Sequence, residues 1–336
     1  MMPQRGRAFP EHERALLSRV AQWPDYPAFD GLTSDAVSQI TRRQGVDFAT
    51  ALLFDRLRKS RKHSAFIEEM DSLREEPSSI GIKLDARIII VPGALYRERP
   101  EMGGDGRLVR DVAEGFGYRT ELIPTASVGS VKTNALLIRE WLEAHARDPI
   151  IIVSLSKGGA DLNAALSQPD YVPDLNNVAA WINVCGPLKG SRMANWVLSS
   201  RWRTWLFRLK FWAQRRDFNF ITGLRADGPL SSCVGLPNSL RIITLMGFPL
   251  GRHMTTALSR FCHRILSRFG PNDGTTSLSD LRLWPGLIYP VWGMDHYFRP
   301  DHEARKLIAA VMEYLARTTS LSAASQGDHF SHEFSK

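Results

Sequence analysis

Cysteine is scarce in this sequence, and so are the patterns that would give it a structural role. The three cysteines, Cys185, Cys233 and Cys262, are odd in number, and none belongs to a C-x-x-C pair. This argues against a disulfide framework and against a zinc site. We expect small buried side chains in a protein of a reducing compartment.

Long apolar runs are also missing. No stretch approaches the roughly 18 apolar residues that a membrane-spanning helix needs. Residues 1–19 carry charged side chains where a secretory signal would have its apolar segment. The chain has 336 residues and is 43% hydrophobic, which is enough to bury a full core. These properties predict a globular, cytoplasmic protein.

One segment lacks carboxylates. Between Pro187 and Arg216 there is no Asp or Glu, although the whole chain carries a net charge of only +8. Basic residues alternate there with aromatic ones, namely Lys189, Arg192, Arg201, Arg203, Arg208, Lys210, Arg215 and Arg216 with Trp196, Trp202, Trp205, Phe207, Phe211 and Trp212. Two interpretations stay open: a helix that lies at an anionic membrane surface, or a lid whose rings pack on the core. No helix-turn-helix, RRM or zinc pattern accompanies the segment, so nucleic acid is not an expected partner.

The N-terminal part of the chain has helical spacing of apolar residues and no strand pattern. The predicted helices are Glu11–Trp23, a segment with its N-cap at Thr33-Ser34-Asp35 and its end at Gly45, Val46–Ser60 and Ser64–Glu75. We interpret residues 1–80 as a helical extension that acts as a cap or an oligomerisation element.

From Arg87 onward, strands alternate with helices, which is typical of a parallel α/β sheet. The predicted strands are Arg87–Val91, Arg119–Ile123, the run before Ser156, Val178–Val184, Leu240–Met246 and Leu287–Trp292, and the predicted helices among them are Leu108–Glu114, Val131–His145, Thr255–Phe269 and Glu303–Ala316. This pattern therefore predicts that residues 81–317 form one domain, with a cap insertion at about 187–239. Residues 318–336 are rich in Ser and Ala and predict a disordered tail.

The segment Pro149–Leu162 is the most informative part of the chain. An Ile-Ile-Ile-Val run, typical of a strand buried on both faces, stops near Ser156 and changes at once into a helical pattern with small residues. This predicts a strand, a sharp turn with Ser156 at its apex, and a helix. By itself the pattern also fits a structural turn, because Ser and Gly are common where a strand leads into a helix.

The sequence Ser154-Leu155-Ser156-Lys157-Gly158 resembles the nucleophile elbow of the α/β-hydrolase family, G-x-S-x-G, with serine in place of the first glycine. The resemblance covers residues 86–317 and implies that Ser156 is a nucleophile. It also implies an oxyanion hole, with one amide from Ala94 or Leu95, after the first strand, and one from Lys157.

The family order of nucleophile, acid and histidine implies two further residues. Asp273 lies in the turn Asn272-Asp273-Gly274, and His296 follows the last predicted strand, so the chain order is Ser156, Asp273, His296. The acid of the family usually follows its strand closely, whereas a predicted helix separates Met246 from Asp273. Asp295, next to the histidine, and Asp280 are rival candidates for the acid, and His302 is a rival candidate for the histidine.

The resemblance thus implies an α/β-hydrolase-like fold, with a mostly parallel sheet flanked by helices, an N-terminal helical extension and an inserted helical cap. It implies a serine hydrolase that cleaves a carboxylic ester, lipid-like in preference, through an acyl-enzyme and without a metal or organic cofactor. The alternative is a non-catalytic protein of this fold that binds an anionic membrane or a protein partner through its basic aromatic cap. The oligomeric state stays open.

Overall fold

The computed structural model describes residues 10–76, 83–167, 174–228, 230, 236–237 and 239–331, with side chains described to residue 319. Cys233 therefore lies outside the described residues, whereas Cys185 and Cys262 are free and buried as expected.

A parallel sheet of six strands forms the centre of the described structure. The strands are β1 (Arg87–Val91), β2 (Thr120–Leu122), β3 (Ile150–Leu155), β4 (Val178–Val184), β5 (Ile242–Phe248) and β6 (Leu287–Trp292). Their order is β2-β1-β3-β4-β5-β6, and every neighbouring pair is parallel. All residues of β3 and β5 are buried, as the continuous apolar runs indicate. The sheet therefore confirms the predicted fold class, and β4 and β6 have their predicted bounds.

Helices flank this sheet. They are α1 (Glu11–Ala21), α2 (Ser34–Gln44), α3 (Val46–Arg58), α4 (Ser64–Glu75), α5 (Arg107–Gly115), α6 (Val131–Ala144), α7 (Lys157–Leu166), α8 (Arg192–Leu198), α9 (Arg201–Ala213), α10 (Asn219–Thr222), α11 (Ala257–Leu266) and α12 (Asp301–Ser331). Of the three residues predicted to form the N-cap of α2, it is Thr33 that caps the helix, because its side chain accepts a hydrogen bond from the Ala36 amide. The inserted helices α8, α9 and α10 lie between β4 and β5, where the cap insertion was predicted.

The N-terminal helices share the core of the sheet instead of standing apart from it. Every residue from Phe48 to Leu57 of α3 is buried, and α3 contacts β5 and β6. The Phe54 ring lies 5.7 Å from that of Phe248 and 4.9 Å from that of Trp292, between centroids. A helix that is apolar on nearly all sides has to be covered on all sides. In this chain α3 is covered by the sheet and by its neighbouring helices, so its role is that of a layer of the domain.

The end of the chain differs from the prediction. The closing helix α12 continues to Ser331, whereas the sequence predicted its end at Ala316 and a disordered tail from 318. The segment beyond Ala316 contains no proline, so no residue in it removes a backbone donor of the helix. Among the described residues, no helix combines the length and the apolar character that crossing a bilayer requires.

We expect Leu52→Ala in α3 to lower the free energy of unfolding by about 3 kcal/mol, because Leu52 has no exposed surface and its removal leaves a cavity. Chemical denaturation measures this loss. The matched control is Leu136→Ala on α6, where the side chain is 46% exposed and the change should cost under about 0.5 kcal/mol. Equal stability of the two variants would contradict the placement of α3 in the main core.

Candidate active site

Ser156 lies at a strained turn between β3 and α7. Its backbone has φ 48° and ψ −122°, a region that residues other than glycine rarely adopt. The strand β3 ends at Leu155 and the helix α7 begins at Lys157, so Ser156 alone forms the turn between them. The turn predicted at Ser156 is therefore present, with Ser156 at its apex.

The turn needs glycine at two positions after Ser156. A Cβ atom on Gly158 would lie 2.4 Å from the Val91 carbonyl oxygen, and a Cβ atom on Gly159 would lie 2.3 Å from Oδ1 of Asn183. The Gly159 position is also closed by backbone, because the added Cβ would lie 2.9 Å from the Gly186 Cα. The start of α7 therefore packs directly on the ends of β1 and β4, and this close packing sets the position of Ser156.

Ser154, which stands where the family has glycine, fits beneath the turn. The side chain is fully buried, and its hydroxyl accepts a hydrogen bond of 2.8 Å from Trp181 Nε1 and donates one of 3.1 Å to Asn183 Oδ1. Because both polar partners lie on the neighbouring strand β4, the hydroxyl is accommodated without an unsatisfied group.

Three side chains predicted from separate parts of the sequence meet at this turn. His296 Nε2 lies 2.8 Å from Ser156 Oγ, and His296 Nδ1 lies 2.9 Å from Asp273 Oδ2. The His296 backbone amide also donates to the Asp273 carbonyl at 2.7 Å. The Asp273 side chain is fully buried and that of His296 is 8% exposed. The helix α11 does lie between β5 and Asp273, yet the loop after it returns to the histidine.

Asp273 is held by its own turn. Its Oδ1 accepts hydrogen bonds from the amides of Thr275 at 2.9 Å and Thr276 at 2.6 Å, which leaves Oδ2 for His296. An acceptor at Nδ1 fixes the tautomer in which Nδ1 carries the proton and Nε2 can accept one.

The rival residues have other partners. Asp295 Oδ2 accepts hydrogen bonds from the amide and the hydroxyl of Thr255, both at 2.7 Å. Asp280 forms an ion pair with Arg192 at 3.5 Å, and the side chain of His302 is 69% exposed beside Glu303. None of these three side chains is hydrogen-bonded to Ser156 or His296 within the described structure.

The electrostatics of His296 come from two opposing effects. Burial acts to lower the pKa of the imidazole, but the charge of Asp273, its hydrogen bond and, to a smaller extent, the charge of Asp295 together outweigh burial and raise the pKa above its ordinary value. Asp273 therefore stabilises a proton on His296, which is what a base beside a hydroxyl group requires.

Three amides were predicted as candidates for an oxyanion hole, and in the described structure two of them are not committed to another hydrogen bond. Within the described residues, the amides of Ala94 and Lys157 have no hydrogen-bond acceptor, and Lys157 is in the first turn of α7, where amides lack helical partners. The Leu95 amide is instead committed to the Ser127 carbonyl at 3.0 Å. Leu95 is thus unsuitable as a donor, because its amide is already hydrogen-bonded within the protein. Ala94 and Lys157 remain candidates.

Cys185 lies against Asp273 and His296, and ligand atoms of the three lie within 4.8 Å of one another. The set fits a metal poorly. Burial raises the pKa of the Cys185 thiol well above its ordinary value, so the metal-binding thiolate is disfavoured. The ring of His296 is already shared between Ser156 and Asp273.

A cavity of about 600 Å³ opens beside Ser156 and His296. Its apolar lining includes Leu95, Met102, Leu108, Leu258, Tyr297 and Ile308. Charged side chains line the same cavity, namely Glu101, Asp105, Arg107, Asp111, Arg299, Asp301 and Arg305. The cavity therefore offers both apolar and charged surface beside Ser156 and His296.

Comparison with known proteins agrees with the architecture. The chain matches no family model, and no curated protein matches it by sequence. Among solved structures, it resembles the metagenomic carboxyl esterase MGS0156 at 22% identity and a TM-score of 0.56, over 72% of this chain and 79% of that one. It also resembles the propeptide form of the lipase BlEst2 from Bacillus licheniformis at 23% identity and a TM-score of 0.50. This match covers 64% of this chain and 47% of the lipase chain. The chain has the α/β-hydrolase fold.

This hydrolase fold contains a buried ion pair that the sequence did not predict. The Lys157 ammonium lies 2.6 Å and 2.7 Å from the two carboxylate oxygens of Asp161, and Asn134 Nδ2 donates to the same carboxylate at 2.7 Å. The Asn134 side chain also accepts a hydrogen bond from the Ala126 amide and donates one to the Ala126 carbonyl. The pair therefore ties the start of α7 to the loop whose Ser127 carbonyl holds Leu95. The i,i+4 spacing of Lys157 and Asp161 was a usable signal, but their burial was not visible in the sequence.

We predict that Asp161→Asn lowers the free energy of unfolding by about 3–5 kcal/mol, because it leaves the buried Lys157 charge without its counter-charge. Replacing both partners, as in Lys157→Met with Asp161→Leu, should cost less than the single change, since no charge remains buried. Urea denaturation distinguishes the two. A single variant that is more stable than the double variant would show that the Lys157 charge does not depend on Asp161.

The contact with Asp273 also predicts the pH at which His296 titrates. By NMR, we expect the imidazole to titrate with a midpoint above the ordinary 6.5. Asp273→Asn should move this midpoint down, because the carboxylate that favours the charged ring is lost, and Asp295→Asn should move it much less. The resonance is assigned by its loss in His296→Gln. An equal effect of the two Asp variants would show that Asp273 is not the dominant partner.

Proposed function

We propose that this protein is a serine hydrolase that cleaves a carboxylic ester through an acyl-enzyme. The observation that supports it most is the chain of hydrogen bonds from Ser156 through His296 to Asp273 at a strained turn, beside a partly apolar cavity. A serine hydroxyl is a weak nucleophile by itself and needs an adjacent base. The likeness to an esterase structure agrees with this chemistry but bears on the fold alone.

In the first half of the reaction, Ser156 Oγ attacks the ester carbonyl carbon while its proton moves to His296 Nε2. Asp273 keeps the opposite ring nitrogen protonated and stabilises the imidazolium that forms. The developing oxyanion receives hydrogen bonds from the amides of Ala94 and Lys157, each worth about 3–4 kcal/mol in a preorganised site. When the tetrahedral intermediate collapses, the C–O bond to the alcohol breaks and His296 protonates the leaving alcohol.

In the second half, water takes the place of the alcohol. His296 removes a proton from the water as it attacks the acyl carbon, and then returns a proton to Ser156 Oγ as the acid is released. Water supplies the only co-reactant, and neither a metal nor an organic cofactor has a step in this scheme.

The substrate class follows from the cavity. Its apolar side chains, such as Leu108, Leu258 and Ile308, would bury the acyl chain, while the charged side chains that also line it would accommodate a polar part of the substrate. We therefore propose an ester with an apolar acyl group, lipid-like in character. The competing hypothesis is a non-catalytic protein of this fold that uses its cap insertion for binding, and it predicts an unreactive Ser156.

A fluorophosphonate probe should label the parent protein and not the Ser156→Ala variant, because the probe reacts only with an activated serine. We further expect Asp273→Asn to lower kcat on a soluble nitrophenyl ester by about 10⁴-fold, through loss of tautomer control and of imidazolium stabilisation. Asp295→Asn, compared at a temperature where circular dichroism shows both variants folded, should retain most of the activity. Labelling that persists in Ser156→Ala would refute the assignment of the nucleophile.

A further inference from the structure

The inserted helix α9 exposes an apolar stripe. Five large side chains face solvent: Trp202 is 66% exposed, Trp205 52%, Leu206 42%, Leu209 46% and Trp212 76%. Their positions recur at intervals of three and four residues, so they share one face of the helix. Phe211, on another face, is buried against the rings of Phe218 and Phe220. The helix is therefore held by a small buried face and presents its larger apolar face outward. A contiguous exposed patch of this kind marks an interaction surface.

Basic residues lie along both edges of the stripe. By helical periodicity, Arg201 and Arg208 fall on one edge and Lys210 on the other, and all three are exposed. Within the described residues none of them forms an ion pair, and no carboxylate occurs anywhere from 188 to 216. Arg203 is less accessible, since it donates to the Trp196 carbonyl and the Ser199 hydroxyl. The α9 stripe is thus apolar at its centre and positively charged at its borders.

We propose that the α9 stripe docks on an anionic lipid bilayer. Indole rings favour the boundary between headgroups and acyl chains, and cations beside them pair with anionic headgroups. A second copy of the chain suits this face poorly, because a two-fold contact would bring the uncompensated basic edges together. A protein partner would need both an apolar groove and an acidic rim, whereas an anionic bilayer offers an apolar interior and negative charge over any area.

The position of α9 connects this surface to the candidate active site. A second cavity of about 560 Å³ is lined by Lys210, Gln214 and Arg216 at the end of α9, and by Leu95, Leu258 and Tyr297. The last three also line the cavity that contains Ser156 and His296. Docking would therefore bring the bilayer to the entrance of a path toward Ser156, and an ester lipid could enter from it. This path, unlike the docking itself, rests on the proposed function.

The test is co-sedimentation of the full chain with vesicles. We expect binding to vesicles of phosphatidylcholine mixed with phosphatidylglycerol, little binding to phosphatidylcholine alone, and weaker binding as salt is added. The Ser156→Ala variant should bind as the parent does, because no bond is cleaved in this assay. Vesicle binding and failure of fluorophosphonate labelling would together mean that the docking surface is right and the proposed function is wrong.

Variants separate the two parts of the surface. Arg201→Gln with Arg208→Gln should weaken binding to anionic vesicles roughly thirtyfold, which is about 1 kcal/mol for each basic residue near the surface at 1.4 kcal/mol per tenfold. The matched control is Arg14→Gln with Arg43→Gln on α1 and α2, which removes the same charge from exposed positions. It should bind like the parent. Trp202→Ser with Trp212→Ser should remove the binding that remains at high salt, because the rings contribute without charge.

Three results would overturn the proposal. One is equal binding of the Arg201 and Arg208 double variant and its control, which would leave only the net charge of the protein as the cause. Another is the absence of binding to any vesicle. The third is a dimer in sedimentation equilibrium that Trp212→Ser dissociates, which would assign the stripe to a second copy. Circular dichroism shows whether each variant is folded like the parent, so that loss of binding is not loss of structure.

Discussion

The close packing of α7 on the ends of β1 and β4 is the constraint on which the rest of this site depends. Gly158 and Gly159 leave no room for a Cβ atom, and Ser156 takes up the resulting strain in its backbone. Lys157 follows Ser156 as the first residue of the helix, and its amide has no acceptor among the described residues. The strand, the turn and the helix therefore act as one unit that presents a hydroxyl and a free amide together.

Two long loops have to reach this unit, and they do so as a pair. The loop of Asp273 and the loop of His296 are joined by a backbone hydrogen bond as well as by the contact of their side chains. The backbone hydrogen bond between the two loops limits how far the imidazole of His296 can move if its side-chain contact with Asp273 changes. On the other side of Ser156, the buried pair of Lys157 and Asp161 links α7 to the loop that holds Leu95. Polar groups that are buried and satisfied thus fix both sides of the nucleophile.

Much of this could be predicted from the sequence, because the features that carry it are local. The apolar runs of β3, β4 and β6 predicted buried parallel strands, and small residues around Ser156 predicted a sharp turn. What could not be predicted depends on residues far apart in the chain. The Leu95 amide looked available until Ser127 proved to be its acceptor, and α3 looked like an extension until the sheet proved to cover it. Likewise, the exposure of Trp202 and Trp212 could not be predicted, because the sequence does not show which face of α9 packs against the rest of the protein.

The central claim is that His296, held by Asp273, activates Ser156 to form an acyl-enzyme. Mass spectrometry of the protein, quenched with acid during turnover of a slowly deacylated ester, measures this directly. We predict a single acyl group on the peptide that contains Ser156, which accumulates in the parent and does not form in His296→Gln. Ester turnover without any adduct on that peptide, or an adduct on a different residue such as Cys185, would contradict this mechanism.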